Sequence, residues 1–162
     1  VPEDLTMVTV KPVETKPALK ARDDAWRRHK GLNPYDDFGR DAARIFIEAQ
    51  AKRGRPNYLS AEFQDCFGHA LVEILRLPTT DNESLAIIAG LRALGDDLQE
   101  RGIVASFAFA PHDSVETATA FVAAGYRKTG LLAKALLDAD GSRKDAILWT
   151  RKLASGLDEA YE

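Results

Sequence analysis

The sequence predicts one α/β domain. Three observations carry that reading. Short runs alternate apolar and polar residues or are wholly apolar, and glycine or proline bounds them. Longer stretches place apolar residues at helical spacing. The two kinds follow one another along the chain, with no repeat, low-complexity tract or linker to divide its 162 residues.

The elements follow in order. Met7-Val8-Thr9-Val10-Lys11-Pro12-Val13 alternates and is closed by Pro12, as a first strand would be. Residues 18–29 carry Ala18, Leu19, Ala21, Ala25 and Trp26 at helical recurrence, broken by Gly31-Leu32-Asn33-Pro34. Residues 41–53 read two ways. Ala42, Ile45, Phe46 and Ala49 have i, i+3, i+4, i+7 spacing and favour a helix ended by Gly54 and Pro56, whereas residues 44–48 alone suit a strand. The helix is preferred. Residues 58–64 and 69–77 read as strands joined near Phe67-Gly68. A long helix over 84–100 has Leu85, Ile88, Leu91, Ala93, Leu94 and Leu98 on its apolar face, and Arg101-Gly102 stops it. Residues 104–110 are almost all apolar, as in a strand buried on both sides. A helix over 115–124 ends at Gly125, a C-cap glycine. Closing strands over 134–137 and 145–153 flank the turn Asp140-Gly141.

Composition narrows the function classes. The hydrophobic fraction is 45 % and the charged fraction 29 %, both ordinary for a globular chain. A net charge of −3 and a pI near 5.7 argue against nucleic-acid binding. The basic residues Arg27, Arg28, Lys30, Lys52, Arg53 and Arg55 are diluted by Asp23, Asp24, Asp36 and Asp37. No apolar run reaches the roughly 20 residues that span a bilayer. The acidic start Val1-Pro2-Glu3-Asp4 has no signal-peptide pattern, and the one cysteine, Cys66, forms no internal disulfide. A cytoplasmic protein is expected. His29, His69, His112 and Cys66 lack metal-ligand spacing, so no metal site is expected.

The element order and several residues resemble the GNAT N-acetyltransferase superfamily. Residues 114–130, with Phe121 followed by Gly125-Tyr126, look like that family's fourth helix and its Gly-Phe exit, and Asp140-Gly141 with residues 145–153 looks like its final hairpin. The likeness is strongest over 69–153. It implies a single GNAT-like domain over 1–162, with a mixed, mostly antiparallel sheet and helices on both faces.

The resemblance also says where activity would reside. In the family a loop of the form Gln/Arg-x-x-Gly-x-Gly/Ala lets backbone N–H groups reach the pyrophosphate of coenzyme A at a helix N-terminus. Here that loop is Pro78-Thr79-Thr80-Asp81-Asn82-Glu83-Ser84. Asp81 stands at the arginine, Asn82 and Ser84 at the glycines, and Glu83 adds a second carboxylate. Two carboxylates repel a polyanion, and side chains at glycine positions hinder backbone approach. Thr80-x-x-Glu83 reads instead as a capping box. The family's tyrosine acid is matched by Phe121, which has no proton to give. Tyr126 stands at a packing position, its hydroxyl read as a polar tip at the domain edge. His112-Asp113-Ser114 reads as a turn and helix N-cap, not a triad.

The expectation that follows is a GNAT fold that has lost catalysis, binds no cofactor and acts as a structural or binding component of an assembly. Degenerate relatives occur among tailed-phage gene products, so a virion setting and a protein partner or homo-oligomer are part of that expectation. The alternative is an acetyl-CoA-dependent N-acyltransferase. Glu73 would then be the base and Leu75, Leu77, Leu85 and Ala86 would border the cofactor. Glu73 also fits a plain surface carboxylate paired with Arg76 or Lys144.

Overall fold

The computed structural model describes residues 8–12, 43–52, 54–63, 68–75, 77–137 and 140–153. The helix expected over 18–29, Cys66, His29, Arg76 and the basic residues at 27–30 lie outside the described residues.

The described residues form seven strands: β1 Val8–Pro12, β2 Ala43–Ala51, β3 Asn57–Phe63, β4 His69–Ile74, β5 Ala105–Pro111, β6 Arg127–Leu137 and β7 Arg143–Lys152. They lie in one sheet in the order β1-β2-β3-β4-β5-β7-β6. Every neighbouring pair is antiparallel except β4–β5. Helix α1 (Asp81–Glu100) crosses over between those two parallel strands, and α2 (Val115–Ala123) follows β5. The mixed, mostly antiparallel sheet is as expected. Both described helices pack on one of its faces.

Residues 43–51 are strand, not helix. β2 is paired along its length by β1 and by β3, from Val8↔Ala51 and from Ala43↔Phe63. Its two faces are both covered: Ile47 and Ala49 join the core beneath the helices, and Phe46 packs with Leu75 and Tyr58 on the other face. The strand alternates, with Ile45, Ile47, Ala49 and Ala51 on the core side and Glu48 and Gln50 on the other, and the one apolar residue of that outer parity, Phe46, completes the helical spacing with Ile45 and Ala49. Residues 104–110 differ as well. Ser106, Ala108 and Ala110 are buried and Phe107 and Phe109 only half-buried, so β5 alternates instead of being enclosed on both sides. β6 also begins earlier than expected, at Arg127. Its first residues on this outer strand, Arg127, Lys128 and Thr129, are polar and exposed and give no hydrophobic signal.

Local chemistry sets the helix limits. Thr80 caps α1, its Oγ1 accepting from Glu83 N at 3.2 Å, and Ser114 caps α2 by accepting from Thr117 N at 3.4 Å. At the end of α2, Tyr126 N donates to Phe121 O (2.9 Å) and Gly125 N to Val122 O (3.0 Å), with Gly125 at φ +93°. That is a Schellman motif, and the Phe121–Tyr126 ring contact at 5.0 Å supplies its usual apolar clasp. Gly125 is thus the C-cap glycine expected.

α1 buries Ala86, Ile87, Ile88, Leu91, Leu94 and Leu98 against the sheet. Each fully buried leucine or isoleucine is worth about 1.5–3 kcal/mol relative to exposure. The helix comes closest at Gly90, where a Cβ would lie 2.7 Å from Leu59 Cδ1 and 3.3 Å from Ala49 Cβ. Both neighbours are fully buried, so neither side chain has room to withdraw. Gly90→Ala should therefore cost stability. Overpacking of about 1–3 kcal/mol outweighs a helix-propensity gain of at most about 1 kcal/mol. Denaturant unfolding checks this, and a midpoint raised above that of the native chain contradicts such close packing.

Candidate functional site

The parallel pair β4–β5 is short. Its register runs from His69↔Ala105 to Leu71↔Phe107 and then stops, although β4 continues to Ile74 and β5 to Pro111. Beyond Leu71 each strand stays with its other neighbour, β4 with β3 and β5 with β7. A split therefore opens between them. Leu75 donates its N–H back to Tyr58 O (2.9 Å). Main-chain groups alternate sides along a strand, so Val72 C=O and both main-chain groups of Ile74 face the opened edge.

The split opens where both helices start, because α1 follows β4 and α2 follows β5. Helix geometry leaves the first N–H groups of α1, those of Asp81 and Asn82, without intrahelical acceptors. Asp81 and Asn82 are exposed, whereas Glu83 is buried. Glu83 Oε1 accepts from Thr79 N (3.3 Å) and Thr79 Oγ1 (2.8 Å). The capping box is present in altered form, with the return bond going to Thr79 instead of Thr80. Glu83 lies folded into the cap, and Asp81 is the exposed carboxylate of this turn.

Glu73 is half-buried on the sheet face away from the helices, opposite Ser60 of β3 and one outward-facing position past Leu71. It stands on the bank of the split. Leu75 is fully buried against Phe46, and its N–H is engaged by β3. Leu77 and Leu85 are half-buried on either side of the cap, and Ala86 is buried on the core side of α1. Lys144 Nζ lies 2.8 Å from Asp113 Oδ2, and this bond holds the Asp113 carboxyl below its ordinary range. Ser114 is the α2 cap, so the His112-Asp113-Ser114 stretch is the turn and cap expected.

On the helix side of the split, Phe121 stacks on Trp149 (centroids 5.5 Å, interplanar angle 15°). Trp149 pairs across the sheet with Ala108, the first helix-side residue of β5 beyond the last β4–β5 pair. Trp149 Nε1 is buried without an acceptor among the described residues. A buried N–H left unpaired costs about 1–3 kcal/mol, which an acceptor atom from a bound molecule would relieve. Tyr126 is no polar tip at an edge. It is 4 % exposed and shares a 2.8 Å hydrogen bond with Ser106 Oγ. Ser106 pairs with Ala70 in the closed part of β4–β5, so Tyr126 sits over that part.

These features fit a pantetheine-bearing cofactor in its arm and less well in its pyrophosphate. Amide groups of the arm need main-chain partners on a strand edge, which Val72 and Ile74 present. The turn at Thr80 to Ser84 offers N–H groups and a helix pole but no basic side chain. Residue patterns could not single out Val72 and Ile74, because what they present is backbone.

No protein-family model and no curated protein sequence matches the chain. Solved structures do. Spermidine N-acetyltransferase from Vibrio cholerae, crystallised with CoA and spermine, superposes with a TM-score of 0.68 at 10 % identity over 94 % of this chain and 99 % of that one. The same enzyme in a dodecameric intermediate state gives 0.67 at 13 % identity over 96 % and 99 %. Ribosomal-protein-S18-alanine N-acetyltransferase from Escherichia coli gives 0.60 at 19 % identity over 91 % and 94 %. The fold is that of the GNAT N-acetyltransferases.

The comparison overturns the expectation of a chain that has lost catalysis for a structural place in an assembly such as a phage virion. The proteins it resembles are acetyltransferases, and one of them holds CoA. That expectation judged the cofactor loop by its side chains alone. The split offers main-chain groups whatever the side chains are, and Glu83 is folded into the helix cap. No helix among the described residues is long and apolar enough to cross a membrane.

Burial pushes the Tyr126 phenol up to about 12, against weaker downward pulls from the Ser106 bond and the Arg151 cation. A raised folded value means that the native state holds this proton while the unfolded chain releases it near 10. The contribution is complete below pH 10 and lost as pH rises through 12, up to about 3 kcal/mol in all. Unfolding free energies measured from pH 9 to 12 should fall less steeply in Tyr126→Phe than in the native chain. Equal slopes would place the phenol in contact with water.

Proposed function

We propose that this protein is an acyl-CoA-dependent N-acyltransferase that uses the split between β4 and β5 as its donor site. The observation that carries the reading is the end of parallel pairing at Leu71↔Phe107, with α1 and α2 beginning at the open end. The likeness to enzymes that acetylate spermidine and a ribosomal-protein alanine supports it.

In this reading Val72 C=O and Ile74 N–H and C=O hold the pantetheine amides, extending β4 as a partner strand would. The N–H groups of Asp81 and Asn82 meet the pyrophosphate, with Leu77 and Leu85 alongside. Asp81 weakens that contact by charge. Acetyl-CoA supplies an activated acyl thioester, so a carbon–nitrogen bond forms as the carbon–sulfur bond breaks. Glu73, on the bank of the split, takes the proton that the amine must lose. Phe121 offers no proton, so water serves the departing sulfur.

A base positioned for proton transfer contributes about 10²–10⁴-fold to rate. Glu73→Gln, which keeps the shape and removes the proton acceptor, should lower kcat for acetyl transfer to an amine by that order. The dissociation constant for acetyl-CoA should change little. Equal kcat in the two proteins removes Glu73 from the reaction, and absence of acetyl transfer to any amine from the native chain overturns the reading.

A further inference from the structure

A cavity of about 370 Å³ lies over β5 and β7, lined by His69, Ala105, Ser106, Phe107, Phe109, Leu148 and Thr150. Ligand pockets span roughly 300–1,000 Å³, so this one suits a small molecule. Strand parity puts it on the face opposite the helices, because Phe107, Phe109, Leu148 and Thr150 alternate with the helix-side Ala108, Ala110, Ile147 and Trp149. The Phe107 and Phe109 rings meet edge to face at 6.1 Å and 87°.

Its place relative to the split gives it meaning. Phe107 is the last β5 residue paired with β4, and Phe109 is the next outward-facing one. Glu73 holds the corresponding position on β4, on the same face. The cavity thus lies over the closed part of the strand pair and reaches the split at Phe109, with Glu73 at the facing register position of β4, outside the lining.

The lining is the opposite of what a polyamine needs. Among the described residues that line it there is no carboxylate, only aromatic and aliphatic side chains with His69, Ser106 and Thr150 as polar members. The Ser106 hydroxyl is bonded to Tyr126 on the helix side. A second ammonium group placed in such a cavity would lose its hydration without a counter-charge, which is costly. A single ammonium group on the Glu73 side of the split, with an uncharged apolar body in the cavity, keeps its charge out of that lining. Aromatic rings pack well on the edge and face of a phenylalanine pair.

We infer that this cavity is the acceptor site and that it selects a small monoamine carrying one aryl or bulky alkyl group. The inference rests on the acyltransferase reading, and it sets this chain apart from the spermidine enzyme whose fold it shares. Leu148 and Thr150, on the cavity floor, are then specificity residues.

The test is calorimetric titration of the native protein with phenethylamine and with spermidine, with and without CoA, followed by acetyl-transfer kinetics on both amines. Phenethylamine should bind at least tenfold tighter than spermidine. Leu148→Trp and the milder Thr150→Leu, which fill the cavity, should each weaken it at least tenfold while thermal melts show a folded protein. Binding without acetyl transfer supports the cavity and refutes the acyltransferase reading. Acetyl transfer to spermidine with no measurable phenethylamine binding leaves that reading standing and overturns the inference. Undiminished phenethylamine binding by both folded variants also overturns it.

Discussion

Strands β4 and β5 lie side by side yet are held by different neighbours. β4 is laddered to β3 from Leu59↔Ile74 to Phe63↔Ala70, and β5 to β7 from Ala105↔Lys152 to Pro111↔Ala146. Their own pairing ends at Leu71↔Phe107. Each half of the sheet can follow its own twist once the shared ladder stops, because strands in a sheet rotate relative to one another. Helices α1 and α2 pack over both halves and on each other, and their buried residues form one core with those of the strands. They hold the two halves at a fixed separation. The ladder groups of Val72 and Ile74 on the opened edge, the place of Glu73 and the cavity at Phe107 and Phe109 are all consequences of that early parting.

The start of α1 shows how the chain meets its own polar demands at the mouth of the split. Thr80 takes the Glu83 N–H, and Glu83 folds back to take the Thr79 N–H and hydroxyl. These bonds complete the cap from within the chain, and acidic groups suit the positive end of a helix. The same arrangement weakens the attraction of that pole for an anion. In the proposed site a donor would depend more on its arm, along the edge of β4, than on its phosphates.

The second half of the fold was legible in the sequence. Gly125 stops α2, Arg101-Gly102 stops α1, Asp140-Gly141 turns the last hairpin, and Ile88, Leu91, Leu94 and Leu98 of the face the spacing marks on α1 are buried, with Leu85 and Ala93 half-buried. These signals are local, which is why they can be read one residue at a time. β2 reads as a helix because Phe46, apolar on its outer parity, adds a helical spacing to Ile45 and Ala49, and one of its partners, β1, is distant in sequence. An apolar run does not say which parity faces an opening, so residues 104–110 read as enclosed although Phe107 and Phe109 are half-buried. Glu73 was visible as a candidate carboxylate. The split beside it was not, because it is made by where a ladder ends, and no side chain encodes that alone. Tyr126 was placed at an edge, whereas the Schellman turn carries it inward to Ser106.

The account stands on the opened edge of β4 as the place where a donor binds. Backbone amide chemical shifts, recorded as CoA is added to nitrogen-15-labelled protein, test that edge directly. Ile74 N–H gains a hydrogen-bond partner in this account, so its resonance should move with saturation. Asp81 and Asn82 should follow, and the β1 and β2 amides should stay in place. Saturable shifts that spare Ile74, or none at millimolar CoA, would contradict the account.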